Sequence, residues 1–287
     1  MIAVIIPVRN GARLIGAQLD ALAGQTFNGD WELIVVDNGS TDNTEDIVAR
    51  WCHRLPVRLL HLERAGANTA RNAGASTAIA SRLAFLDHDD VAAPGWLDAM
   101  NRALDEHPLV GGRLDYERLN TPLAVAAHAQ KLAVSNLPRY RGAPHAMGCN
   151  MGCQRAAFDE IGGFDPAMSR GADEIDFFFR AHQLGIEASF APDATVAYRL
   201  RTSSRECRTQ MHNYAVGDAQ LAAKLRLAGT IPKQSNRSRL AATWGHVKGL
   251  AGVNLWFTQV GRRQYSQRMG YAAGAVVGFV RFRQIVL

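Results

Sequence analysis

The fold is decided by the segment IAVIIPVRNG, residues Ile2 to Gly11. An uninterrupted apolar run from Ile2 to Val8 is typical of a strand that is buried on both faces of a sheet. Arg9, Asn10 and Gly11 end the run, and apolar residues at helical spacing follow immediately. A buried strand that leads directly into a helix is the first unit of an alternating α/β fold.

The same alternation continues along the chain. We predict further strands at Trp31–Val36, Val57–Leu62 and Leu83–Leu86, with helices between them. Four strand–helix units predict an α/β fold with a mostly parallel central sheet and helices on both faces. Such sheets bind ligands outside the carboxyl ends of their strands, so the residues that follow each strand are the candidates for a site.

The pattern changes after the fourth strand. From Asp115 to Arg170 it loosens into helical pieces and loops, and Asp173–Leu184 then predicts a helix and Ala188–Val196 a strand. Beyond Tyr198 the sequence is basic and helical in tendency. We therefore divide the chain into three parts, residues 1–115, 116–198 and 199–287.

Charge is segregated along the chain. With 287 residues, 47% of them hydrophobic, the chain can bury a sizeable core. Residues 199–287 carry 15 Lys/Arg against 2 Asp/Glu, a net charge of +13, whereas the preceding 198 residues carry 17 against 24, a net charge of −7. The two parts are therefore expected to meet different partners.

The cysteines and the apolar runs predict a compartment. Cys52, Cys149, Cys153 and Cys207 match neither a disulfide framework nor a zinc spacing, which fits a reducing cytosol. The sequence shows no secretory signal, and its longest late apolar run, Met269–Val280, is too short to cross a bilayer. We expect a cytoplasmic protein and leave open its attachment to the inner face of the membrane.

Three carboxylates follow the fourth strand, in the run Asp87-His88-Asp89-Asp90. This concentration of negative charge is costly unless a cation neutralises it. Mg²⁺ and Mn²⁺ bind through one or two carboxylates together with substrate phosphates. The alternative is a solvated acidic turn that caps the next helix. We predict that Asp87, Asp89 and Asp90 hold a divalent metal and that His88 is an exposed spacer.

Polar residues also follow the second and third strands. Asp37 can accept the imide N–H of a uracil or thymine ring, and Asn38 adds a short polar contact. Arg64 and Arg71 can bind diphosphate oxygens, because the guanidinium fork matches phosphate geometry. The alternatives are an ordinary turn aspartate and surface arginines.

A second group of carboxylates opens the predicted late helix. Asp173 and Glu174 lie at its very start, where they can point into a cleft and where one of them can act as a general base. The alternative is helix stabilisation, since negative charge is favoured in a first turn. Asp176 and Arg180 lie four residues apart on one face and predict a structural ion pair.

Six segments occur in one order between Ile2 and Arg201. They are VIIPVRN (Val4–Asn10), ELIVVDNGSTDNT (Glu32–Thr44), GANTARNAG (Gly66–Gly74), FLDHDD (Phe85–Asp90), GCNMGCQRAAFDEIGGFD (Gly148–Asp165) and ADEIDFFFR (Ala172–Arg180). In this combination the chain resembles the family 2 glycosyltransferases. The resemblance implies a GT-A fold, a nucleotide-sugar donor and an inverting single displacement. The three parts then become a donor-binding half, an acceptor-binding and catalytic half, and a basic helical extension.

The resemblance also assigns donor residues one by one. Nucleotide recognition falls to Pro7, Arg9 and Asp37, and Arg71 lies near the diphosphate. Asp89 and Asp90 match the positions that meet the ribose or sugar of the donor and the metal, expected to be Mn²⁺ or Mg²⁺.

Catalytic and acceptor positions follow in the same way. Family members commonly carry Glu-Asp at the start of the late helix, with the second carboxylate as the base, and this chain has Asp173-Glu174 there. Glu174 is thus the expected base and Asp173 the fallback. Tyr198 stands where many relatives carry a histidine that contacts the metal. Asn150 and Asp165 are the expected sugar contacts on the acceptor side.

The expected reaction moves one sugar from a UDP- or dTDP-sugar to a hydroxyl group of a carbohydrate, lipid-linked or small-molecule acceptor. Its product would be a polysaccharide, glycolipid or other glycoconjugate. A catalytically inactive protein that binds nucleotide sugars remains the alternative. Nucleic-acid binding is disfavoured, because no recognition signature accompanies the basic charge and the acidic part would repel phosphates. A dehydrogenase is disfavoured as well, because the first turn lacks G-x-G-x-x-G.

The basic extension allows two interpretations. Basic residues interleaved with aromatic ones suit an amphipathic element on an anionic membrane surface. The other interpretation is a solvated helical appendage that packs on the catalytic domain or on a second subunit of a homo-oligomer. Gly270, Gly274 and Gly278 recur every fourth residue, a spacing that permits close helix packing.

Overall fold

The computed structural model describes residues 1–63, 66–128, 132–168, 170–230 and 258–283. The strands in these residues are β1 (Ile2–Val8), β2 (Trp31–Asn38), β3 (Val57–Leu62), β4 (Arg82–Leu86), β5 (Val91–Ala92), β6 (Leu109–Asp115), β7 (Arg139–Tyr140), β8 (Ala143–Pro144), β9 (Asn150–Gln154) and β10 (Ala188–Ala197). The helices are α1 (Ile15–Ala23), α2 (Thr44–Ala49), α3 (Ala67–Thr77), α4 (Trp96–Glu106), α5 (Pro122–Ala127), α6 (Arg155–Ile161), α7 (Asp173–Gln183), α8 (Ser204–Leu227) and α9 (Gln259–Arg283).

The chain forms two compact units. The first comprises residues 1–119, 131–166 and 174–199, and the second comprises residues 120–130, 167–173 and 200–287. The functional division at residues 115 and 198 stays a prediction.

One eight-stranded sheet dominates the first unit, in the order β3-β2-β1-β4-β9-β6-β10-β5. Strands β1 to β4 pair in parallel, as does β6 with β10. Strand β9 runs antiparallel to both β4 and β6, and β5 runs antiparallel to β10. The predicted α/β architecture with a mostly parallel sheet is confirmed. The antiparallel strand β9 in its middle was not predicted.

The core explains why these strands form. Every side chain of β1 is buried, and so is every side chain of β2 after Trp31, as expected of strands covered on both faces. Helix α3 ends at Thr77. The Glu32 carboxylate on β2 accepts the backbone N–H groups of Ile79 and Ala80, and this holds the chain extended after the helix.

The second unit contains a pair of long helices. The side chain of Ser203 and that of Glu206 form a capping box that starts α8. The three glycines of α9 face α8, because a Cβ atom at Gly270 or Gly274 would collide with the α8 backbone. The glycine repeat therefore serves close helix packing within this chain, as its spacing predicted. In the described residues, none of the helices has the length and apolarity that a membrane crossing requires.

Candidate active site

Hydrogen bonds join the loops that follow β1 and β2. The backbone N–H of Asn10 donates to Ser40 Oγ at 2.8 Å, and the Asn10 side chain accepts the N–H of Thr41 at 2.8 Å. Asn10 has a φ of 52°, a left-handed conformation that asparagine tolerates better than most residues. The N–H of Gly11 donates to Thr44 Oγ1 at 2.9 Å. The carboxyl ends of the two strands are thereby fixed to each other.

Asp37 and Asn38 hold the end of β2. Asp37 is 0% exposed, and its carboxylate accepts both the N–H and the hydroxyl of Ser40. The Asn38 side chain accepts the N–H of Gly66 at 3.2 Å, across to the start of α3. Asp37 and Asn38, which were predicted to contact the nucleotide, therefore hold the loops at this edge of the sheet in place.

A histidine also lies at this edge. His61 Nδ1 is 3.4 Å from Asp37 Oδ2 and forms a hydrogen bond with Glu45. The hydrogen bond to the Glu45 carboxylate raises the pKa of the exposed His61 ring above its usual value. Asp37, Glu45 and His61 are one of two groups in the described residues whose ligand atoms lie close enough to share a metal.

The acidic turn after β4 is held from two sides. Arg71, only 6% exposed, pairs with Asp87 through a 3.1 Å contact between Nη2 and Oδ1. On the other side the backbone N–H of Arg199 donates to Asp90 Oδ1 at 2.7 Å, and Arg199 Nε donates to the Asp89 carbonyl at 2.8 Å. Asp89 and Asp90 are buried, which fixes their carboxylates in place.

The charges of the predicted metal-binding carboxylates and of the predicted base all act on one thiol, that of Cys149. Burial raises the pKa of Cys149 well above its usual value, and the negative charges of Asp90, Asp87, Glu174 and Asp89 raise it further. Glu174, at the start of α7, therefore lies near enough to Cys149 for its charge to act on the thiol, although 84 residues separate Asp90 from Glu174 in the sequence.

The donor atoms at this point fit a divalent cation. A carboxylate oxygen of Asp87, one of Asp90 and the Cys149 sulfur all lie within 4.8 Å of one another. Two carboxylates are the usual protein contribution to a Mg²⁺ or Mn²⁺ site, whose remaining positions go to water and phosphate oxygens. The sulfur is a softer donor than those cations usually take.

Helix α7 begins with the candidate bases. The side chains of Asp173 and Glu174 are half-buried. Arg180 Nε donates to Asp176 Oδ2 at 2.9 Å, so the predicted structural pair is confirmed. Arg180 also donates to the Gly163 carbonyl, which ties the helix to the end of α6. Asp176 is thereby committed to the fold.

The other predicted site residues have varied surroundings. Pro7 is buried within β1, and Arg9 is exposed directly after it. Asp165 is half-buried, and its carbonyl accepts the side chain of Asn68 at 2.9 Å. Arg64 lies outside the described residues.

Asn150 is fully buried inside the sheet. Its amide nitrogen donates to the carbonyls of Arg113 and Ala194, and its oxygen accepts from the indole N–H of Trp96. These bonds join β9 to β6, β10 and α4. Asn150 therefore acts within the sheet and has no surface to offer an acceptor.

Two residues of the site were missed by sequence reasoning. Arg199 was counted with the basic extension, and Cys149 was considered only as one of the four cysteines that match neither a disulfide framework nor a zinc spacing. The signal for Arg199 was its place shortly after the predicted strand Ala188–Val196, since positions after strands had already selected Asp37 and the acidic turn. Cys149 became recognisable only through the pairing of β9 with β4.

The fold is of the GT-A type: a mostly parallel sheet with carboxylates gathered at the ends of its strands. The sequence profile of "Glycosyl transferase family 2" matches residues 3–162, more than half of the chain. The chain therefore belongs to this family.

Curated relatives carry glycosyltransferase names. A pre-mycofactocin glycosyltransferase of Mycobacterium tuberculosis is 28% identical over 78% of this chain and 48% of its own length. The glycosyltransferase AglE of Haloferax volcanii is 27% identical over 77% of this chain and 73% of its own length. An uncharacterised glycosyltransferase of Rickettsia felis is 28% identical over 75% of this chain. The chain spans 30–48% of the length of the first four relatives.

Solved structures share the fold. The mannosyltransferase PcManGT of Pyrobaculum calidifontis, in complex with GDP-Man and Mn²⁺, has a TM-score of 0.67 at 20% identity, over 97% of this chain and 86% of that one. TarS residues 1–349 of S. aureus, in complex with UDP-GlcNAc, has a TM-score of 0.56 at 18% identity, over 99% and 91% of the two chains.

Proposed function

We propose that this protein transfers one sugar from a nucleotide-diphosphate donor to an acceptor hydroxyl, with inversion and with the help of a divalent cation. The observation that carries the proposal is the pair of carboxylates of Asp87 and Asp90, whose oxygens lie within 4.8 Å of each other at the carboxyl edge of the sheet. A site for a cation and a carboxylate base beside it are the two groups that this transfer needs.

Asp87 and Asp90 would hold the cation, Mn²⁺ or Mg²⁺, with the donor phosphates completing its coordination. When bound, the cation stabilises the negative charge that develops on the departing diphosphate. Arg71 and Arg199 hold the acidic turn in shape, so that its carboxylates need not reorganise when the donor binds. The complex of PcManGT with GDP-Man and Mn²⁺ supports this assignment by analogy of fold.

Glu174 would accept the proton of the acceptor hydroxyl. The acceptor oxygen then forms a bond to the anomeric carbon as the bond from that carbon to the diphosphate oxygen breaks, and the nucleoside diphosphate leaves with the bonding electrons. Attack from the face opposite the leaving group inverts the anomeric centre. Asp173 remains the fallback base, and Asp165 a proposed contact of the acceptor sugar.

The nucleobase would bind at the ends of β1 and β2, beside Pro7, Arg9, Asp37 and Asn38. We keep uracil or thymine as the proposed base, because each carries an imide N–H that a carboxylate can accept. The proposed acceptor is a carbohydrate, lipid-linked or small-molecule hydroxyl, and the product is a polysaccharide, glycolipid or other glycoconjugate.

A donor panel tests this proposal. Binding and slow hydrolysis of UDP-, dTDP- and GDP-sugars are measured with Mn²⁺, with Mg²⁺ and with a chelator. We expect one UDP- or dTDP-sugar to bind and to release its nucleoside diphosphate only when a cation is present. If no nucleotide sugar binds with either cation, the proposal is wrong. Binding without hydrolysis, and without transfer to any acceptor tried, favours the inactive binding protein.

We also propose that the second unit docks on an anionic membrane surface. Met269, Val276, Val277 and Val280 of α9 are exposed, Val280 by 56%, and their spacing places them on one side of the helix. Arg268 and Arg281 are exposed on the same helix. An apolar stripe with basic residues beside it fits the boundary between acidic headgroups and acyl chains. A lipid-linked acceptor would be held in the same membrane.

Vesicle binding tests the surface. Replacing Val276 and Val280 together by aspartate should weaken binding to vesicles of anionic phospholipid by at least about tenfold, because two apolar contacts are lost and negative charge is added. The same change at Ile79, an exposed apolar residue of the first unit, is the matched control. Failure of the unaltered protein to bind anionic vesicles would overturn the proposal. If the double variant instead converts a dimer to a monomer, the stripe is a subunit interface.

A further inference from the structure

Cys149 lies beside the acidic turn because of the sheet register. Strand β9 runs antiparallel to β4, and Leu86 pairs with Asn150. Asp87, which follows β4, and Cys149, which precedes β9, are the next residues of the two strands and are therefore neighbours. The Cys149 sulfur and carboxylate oxygens of Asp87 and Asp90 lie within 4.8 Å of one another.

The thiol is not used by the fold in another way. Cys149 is 4% exposed, and no described residue forms a hydrogen bond with its Sγ. Cys207, by contrast, donates its thiol to the Arg201 carbonyl at 3.4 Å. Cys153, four residues along the same segment, lies within the apolar core. Cys149 is thus a buried thiol whose sulfur lies within 4.8 Å of two carboxylate oxygens. The thiol and both carboxylates are groups that can ligate a metal.

We propose that Cys149 is a third protein ligand of the cation held by Asp87 and Asp90. This inference rests on the proposed metal site and deepens it. The Cys149 sulfur is the third ligand atom of the group that Asp87 and Asp90 form. A thiolate in an otherwise oxygen set shifts the preference of a site from Mg²⁺ towards softer cations such as Zn²⁺, Co²⁺ and Cd²⁺. On binding, the thiol gives its proton to solvent and the sulfur lone pair to the cation.

Cadmium reports this ligand directly, because a cadmium–thiolate bond gives an ultraviolet charge-transfer band that oxygen ligands do not give. The full chain is used with Cys52→Ser, since Cys52 is exposed and would bind the ion itself. We expect a band that saturates at one Cd²⁺ per chain and falls when excess Mn²⁺ competes. Cys149→Ser should abolish the band and weaken Cd²⁺ binding by at least about tenfold. Cys153→Ser, a buried thiol outside the cluster, is the matched control and should keep both.

The outcomes of the cadmium experiment separate the role of Cys149 from the proposed function. No band, with Mn²⁺-dependent donor binding intact, overturns the role of Cys149 and leaves the proposed function standing. No band and no cation-dependent donor binding would overturn both. If Cys149→Ser does not fold, the chain with Cys52, Cys153 and Cys207 replaced retains Cys149 as its sole thiol. That variant must then show the band at one equivalent, and its absence there contradicts the proposal.

Discussion

Asp90→Asn is expected to lower the rate of sugar transfer by roughly 100- to 1,000-fold, the effect of removing one preorganised charge from a site that stabilises a leaving group. The Asp90 side chain is 1% exposed and is fixed by the backbone N–H of Arg199. Asparagine keeps the shape and can still accept that N–H through its own oxygen. The variant therefore loses the charge and keeps the fold. The transfer rate with saturating Mn²⁺, and the affinity for Mn²⁺ by calorimetry, measure the effect.

Asp105→Asn is the matched control for this change. Asp105 pairs with Arg82 at the opposite end of β4, away from the acidic turn. Its neutralisation should leave the transfer rate and Mn²⁺ affinity unchanged. Thermal unfolding of both variants checks that the fold survives. A transfer rate of Asp90→Asn equal to that of the unaltered protein would show that this carboxylate does not hold a catalytic cation.

The first half of the sheet was predictable because its signal is local. The bounds of β1 and β3 match the predicted ones, and β2 differs only by extending to Asn38. A strand buried on both faces reads as a short continuous apolar run, and the β-branched residues and the turn residues that flank it distinguish it from a buried helix. The acidic turn was found by the same means, since it lies directly after such a run.

The middle of the sheet was not predictable in this way. Strand β9 reads Asn-Met-Gly-Cys-Gln and shows no continuous apolar run, and the alternation of Met151 and Cys153 with polar or small residues is too short to identify a strand. Its position between β4 and β6 is set by contacts distant in sequence, among them the buried amide of Asn150 with Trp96 and Ala194. The neighbourhood of Cys149 depends on that strand and so could not be read from the sequence either.

The partners of two arginines in the site could not be predicted from the sequence either. Arg71 was predicted to meet the diphosphate, yet it is buried and paired with Asp87, an interaction that spans 16 residues and two elements. Arg199 reaches Asp90 from 109 residues away. Residue type and position after a strand identified the site, but the partner of each charge was fixed only by tertiary structure.

Glu174→Gln is expected to lower kcat by roughly 100- to 10,000-fold, the range for removing a general base. The amide cannot accept the proton of the acceptor hydroxyl at neutral pH. Glutamine matches glutamate in size, and the half-buried site tolerates it, so that donor affinity and Mn²⁺ affinity should change little. Single-turnover transfer and separate measurement of donor binding distinguish the loss of kcat from a loss of binding.

Asp173→Asn decides which carboxylate is the base. Both residues lie in the first turn of α7, where either negative charge stabilises the helix, so the two variants should lose similar amounts of stability. If Glu174 is the base, only Glu174→Gln loses kcat, because only that variant removes the group that accepts the proton of the acceptor hydroxyl. A large loss of kcat confined to Asp173→Asn would assign the role of base to Asp173 and would leave the proposed cation site unchanged. Unchanged kcat in both variants would contradict a base at the start of α7 and with it the proposed displacement.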